Sequence, residues 1–121
     1  MIQYRILHNL DAGFLRSFEP GDRLADGFTG QTQNFDLRDT DRFLEGLFAL
    51  HNHPDRPDGQ DAPSLSIGDV VIVGESAFSV ASRGFTPVEV RSEDLLGIPW
   101  TEASDILMAE QDMRWRKERA R

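Results

Sequence analysis

Residues 68–91 read GDVVIVGESAFSVASRGFTPVEVR, three short apolar runs separated by two glycine turns. Val70–Val73 is a continuous β-branched run, the pattern of a strand covered on both faces. Gly74-Glu75 suits a two-residue hairpin with glycine at the first central position. Ser76–Ser82 then alternates, with Phe78 and Val80 on one side. Arg83-Gly84 supplies the second turn, and Phe85–Arg91 forms a third strand. Pro87 has no N–H to donate, which places that strand at an edge or turns Pro87 outward. The reading is a three-strand meander.

Upstream, residues 52–63 (NHPDRPDGQDAP) hold three prolines, one glycine and no hydrophobic residue larger than Ala62, the composition of an exposed loop. Before it, residues 40–51 read as a helix. Asp39 or Thr40 can cap it, Asp41 suits its positive end, and Phe43, Leu44, Leu47, Phe48 and His51 fall on one stripe. Pro54 bounds it. Residues 2–7 (IQYRIL) alternate, with Ile2, Tyr4 and Ile6 on one face of a half-covered strand. Residues 8–36 are rich in turn formers yet carry Phe14, Leu15, Phe18, Leu24, Phe28 and Phe35. That combination predicts irregular structure packed on the core, with a short strand near 28–33.

Downstream, Ser92 caps a short turn that Gly97 and Pro99 stop. A final helix starts at Thr101 and turns Ala103, Ile106, Leu107 and Met113 toward the core. Residues 114–121 (RWRKERAR) form a basic tail of charge +4, whose order the sequence leaves open, while the first 113 residues carry −12. The net charge of −8 disfavours nonspecific nucleic-acid binding, and Trp115 in the tail does not reverse that.

The 121 residues fit a single domain, 1–121, and the absence of cysteine excludes disulfides, thiolate zinc sites and a cysteine nucleophile. No apolar run nears the roughly 18 residues of a membrane span, and MIQYRILHNL lacks the layout of a signal peptide, so a cytoplasmic protein is expected. The expected fold is α+β: a small antiparallel sheet, made of the three-strand meander 69–91 plus the N-terminal strand, packed against the helix at 40–51 and a C-terminal helix.

Two motifs bear on function. His51-Asn52-His53-Pro54 with Ser66-Ile67-Gly68-Asp69 resembles the JAMM/MPN metalloprotease signature, in which two histidines and an aspartate hold zinc and leave a position for water. Twelve residues (54–65) separate His53 from Ser66, wider than that signature's spacing, and Asp69 leads into a strand where the family has a helix. The resemblance makes His51, His53 and Asp69 the candidate zinc ligands of a divergent hydrolase. The competing reading has His51 closing its helix, His53 solvated and Asp69 in a turn. Asp55, Asp58 and Asp61 recur every three residues, which does not match the alternation of a calcium loop.

The second motif is His53-Pro54-Asp55-Arg56-Pro57, then Ser64-Leu65-Ser66-Ile67-Gly68-Asp69-Val70-Val71, then Gly84-Phe85. It resembles a family of small proteins from actinobacterial chromosomes, plasmids and phages, and its S-x-S-x-GDVV core is similar to the YodL-like domain of mobile elements. The resemblance implies an association with mobile elements or their hosts and no particular activity. With no complete catalytic set in the chain, the leading functional expectation is a non-enzymatic module that binds another protein. Asp55, Arg56 and Asp58 are its candidate contact residues on the 52–63 loop. The alternatives are the zinc hydrolase and an acidic DNA mimic that blocks a nucleic-acid-binding protein.

Overall fold

The computed structural model describes residues 2–13, 16–32, 39–57 and 63–119. Its elements are β1 (Ile2–Asn9), β2 (Leu24–Thr32), α1 (Thr40–His51), β3 (Val70–Val73), β4 (Ser76–Val80), β5 (Phe85–Val88), β6 (Leu95–Pro99) and α2 (Trp100–Arg119). The six strands form one sheet in the order β5-β4-β3-β1-β2-β6. Every neighbouring pair is antiparallel except β2 and β6, which run parallel. The fold is α+β.

The three-strand meander is present, with its second strand ending at Val80 rather than Ser82 and its third at Val88 rather than Arg91. Gly74 and Gly84 take φ of 59° and 70°, the left-handed region that lets glycine close each tight turn. Pro87 lies on β5, at the sheet edge. Val70, Val71 and Val73 are buried, with Val71 and Val73 in one apolar cluster and Val70 in another on the opposite face.

Three expectations are corrected. First, residues 24–32 form a nine-residue strand paired along the whole of β1, where irregular structure with a short strand near 28–33 was expected. Its glycines hid it. Gly27 is the extra residue of a bulge, since Ile6 faces Phe28 while Leu7 faces Asp26. Gly30 lies under the Tyr4 ring, where a methyl group would meet the ring at 2.7 Å. Second, β1 is not half-covered: Ile6 and Leu7, on opposite faces, are both buried. The second face is closed by Phe18, which packs with Leu7, Leu24 and Val70. The Phe18 N–H donates to the Ser79 hydroxyl at 2.8 Å, pinning this segment to β4. Third, residues 95–99 are a strand rather than part of a turn, and α2 starts at Trp100.

α1 covers β1 and β3, its Leu44 and Leu47 packing with Tyr4, Ile6, Val71 and Val73. Burial of such a leucine contributes roughly 1.5–3 kcal/mol. Asp39 stands at the N-cap but makes no side-chain cap hydrogen bond; its carboxylate lies 3.9 Å from Arg42 instead. Ala103 of α2 packs with Leu10 and Ala25. Ala25 faces His8 across the ladder, and His8 shares a face with Tyr4 and Ile6, so both helices lie on one side of the sheet. Phe14, Leu15, Phe35, Asp58 and Asp61 lie outside the described residues.

Candidate functional site

The three candidate zinc ligands are not brought together. His51 is fully buried, its Nε2 3.1 Å from the Tyr4 hydroxyl and its ring against Phe28. His53 is exposed and its Nδ1 accepts the Asp55 N–H at 3.0 Å. Asp69 is buried with other partners. Among the described residues no group of three His, Asp or Glu side chains is placed to hold a metal ion. In the 52–57 loop the Asp55 side chain is 94% exposed, whereas Arg56 is half-buried against the body.

Asp69 organises a different cluster. Its Oδ2 accepts from His8 Nδ1 at 3.0 Å and from the Ser66 N–H at 2.9 Å, while Oδ1 accepts from the Asn9 N–H at 3.0 Å. The Asn9 amide donates to the Gly68 carbonyl and to Asp22 Oδ2, each at 3.0 Å. Asp22 also takes the Glu19 N–H and an Arg16 guanidinium N–H. Burial works to raise the Asp22 carboxyl, but Arg16, Asn9 and the Glu19 N–H together hold it below its ordinary value. These bonds tie the end of β1 to the segment before β2 and to the turn before β3. Gly68, at φ 95°, completes that turn.

His8 escaped sequence reading because it opens the turn-rich HNLDAG stretch. The signal was present all the same: extending the Ile2, Tyr4, Ile6 alternation by one step puts His8 on the helix-covered face.

The second conspicuous feature is α2. Its 20 residues span about 30 Å, while β6 has five residues and spans roughly 17 Å. The helix is therefore longer than the edge strand it follows. Ala103 is its one buried residue, and every position from Gln111 to Arg119 is exposed. Of the four side chains expected to face the core, Leu107 is half-buried, and Ile106 and Met113 are exposed. Met108, Met113 and Trp115 are each more than half exposed, at 66%, 62% and 54%. The basic stretch does not depart from the fold: residues 114–119 continue the helix, with Arg119 stacked over Trp115 at 4.4 Å and Arg116 paired with Asp112 at 3.2 Å.

A fork of charge sets where the helix leaves the body. Arg23 donates to both carboxylate oxygens of Glu110, at 2.6 and 3.1 Å, and to both oxygens of Asp11. The Arg23 hydrogen bonds hold the Asp11 and Glu110 carboxyls below their ordinary values. Those two acids raise the Arg23 guanidinium in return. Two residues before Arg23, the Gly21 N–H donates to Asp94 at 3.1 Å, and Arg91 holds the Asp94 carboxyl below its ordinary value.

No helix among the described residues is long and apolar enough to cross a membrane. No family model, no curated protein and no solved structure matches this chain.

Proposed function

We propose that this chain is a non-enzymatic interaction module that presents the outer half of α2 to a protein partner in the cytoplasm. One observation carries the reading: a 20-residue helix buries a single alanine and leaves Met108, Met113 and Trp115 in water. A helix exposed all round has little packing to hold it, and large apolar and aromatic side chains on such a surface are the usual anchors of a protein contact. The Arg23 fork ties the middle of the helix, at Glu110, to the body of the domain. The loop residues Asp55 and Arg56 are the competing contact, weakened by the half-buried state of Arg56, while Asp58 lies outside the described residues. The likeness of the S-x-S-x-GDVV segment to the YodL-like domain supports a role on mobile elements or in their hosts.

The test is photo-crosslinking inside cells from Gln111 and, separately, from Asp55. An adduct of one discrete mass from position 111 and none from 55 is expected. An adduct from 55 alone transfers the interaction to the loop, and none from either position overturns the reading.

A further inference from the structure

One side of α2 carries Glu102, Ile106, Ala109, Met113 and Arg116, spaced four, three, four and three residues apart. That spacing is the seam of a coiled coil. All five residues are exposed, Ile106 by 44% and Met113 by 62%. The body of the domain meets a different side of the helix, the one that holds buried Ala103 and half-buried Leu107 and Glu110.

Charge is divided along the same helix. Residues 100–112 contain four acids and no lysine or arginine, whereas residues 113–119 contain four cations and one acid. Two such helices laid in the same direction set like charge against like. Reversed, the acidic half of each lies along the basic half of the other.

The seam is also its own complement when reversed. A two-fold axis at Ala109, its midpoint, brings Glu102 level with Arg116 of the second copy, since each is seven residues from the axis. Ile106 and Met113 of the second copy come level to within one residue, and the small alanine lets the helices approach where they cross. Met108 and Trp115 define the alternative seam, which suits self-pairing less well. Its midpoint is Asp112, which a two-fold axis sets beside its own copy, and Arg119 already stacks over the Trp115 ring at 4.4 Å.

We propose that two copies of this chain associate through α2, antiparallel and centred on Ala109. This goes beyond partner capture at the outer half of the helix. Gln111 is two positions from both Ala109 and Met113 and therefore points away from them.

The experiment is sedimentation equilibrium of the whole chain from about 1 to 100 μM, at about 0.05 M and 0.5 M salt. The expected result is a monomer–dimer equilibrium that weakens at the higher salt. Ala109→Glu sets two carboxylates at the axis and should weaken association by about tenfold or more. Glu102→Arg alone and Arg116→Glu alone should each weaken it. The two together in one chain should restore it, because reversed helices then oppose unlike charges again, whereas parallel helices would not. All three positions are exposed, so the variants keep the fold, which a melt verifies. A chain that stays monomeric across the range overturns the proposal, as does a dimer indifferent to Ala109→Glu or a double exchange that fails to recover. None of these outcomes bears on the adduct from Gln111 in cells, so self-association and partner capture fail separately.

Discussion

α1 and α2 lie on the same side of one sheet and use their apolar residues in opposite ways. α1 has 12 residues and buries Leu44, Leu47 and His51; α2 has 20 and buries Ala103 alone. The shorter helix is the better anchored because its stripe lies over the middle of the sheet, against β1 and β3. The longer one packs through Ala103, near its start, against the β2–β6 edge and leaves residues 111–119 exposed. Helix length therefore says little about contribution to the core. Where the apolar residues sit relative to the sheet separates a helix that builds the domain from one that the domain displays.

The comparison can be broken most sharply at Leu44. Leu44→Ala empties a fully buried position and should cost about 2–5 kcal/mol. That is a fall of roughly ten degrees or more in the melting temperature of a chain this size. Met113→Ala and Trp115→Ala together should stay within about 0.5 kcal/mol per site, because exposed positions contribute little to stability. If the two experiments gave similar losses, α2 would be part of the core and the contrast would be wrong.

Acid comes next. Asp11, Asp22, Asp94 and Glu110 are all held below their ordinary values in the folded chain. Through that window the unfolded chain binds more protons, so stability rises with pH. The contribution is complete above the unfolded carboxylate values of about 3.9–4.3 and is lost as pH falls through the lower folded values. Denaturant melts between about pH 6 and pH 2 should show the loss beginning near pH 4. Asp22→Asn should flatten that slope. A profile unchanged by the substitution would remove Asp22 from the account.

A smaller effect is expected at the helix base. Arg23 and Glu110 are each more than a third exposed, so solvent and salt screen their bond. Glu110→Ala should barely move the melting temperature while raising amide hydrogen exchange around residues 105–112. High salt should mimic it. The smallest effect is that of metal: zinc or EDTA should leave the melt unchanged, because His51 and Asp69 are engaged with Tyr4 and His8. A zinc-induced stabilisation that His53→Ala abolished would contradict this placement.

The meander and α1 were legible because glycine turns and side-chain periodicity are local signals. β2 was not, since Gly27 and Gly30 look like breakers until the His8 and Tyr4 rings are seen lying against them. β6 was hidden for a related reason: Gly97 and Pro99 read as stops, yet an edge strand in a parallel pair tolerates both. Asp69 was read as a candidate zinc ligand beside His51 and His53, and in the structure it pairs with His8. Its partner, His8, lies 61 residues away on a neighbouring strand, and no spacing rule within 51–69 reaches it. The burial of Met113 was expected from helical period alone, which cannot show where the sheet ends.

The most direct test of the displayed helix is the crosslinking yield from Gln111 in a Met113→Ala/Trp115→Ala chain, measured against the unaltered side chains at equal folded concentration. The account predicts that the partner adduct is lost while the melting temperature stays within about five degrees. An adduct of undiminished yield would contradict it, because the apolar residues left in water on α2 would then have no part in holding a partner.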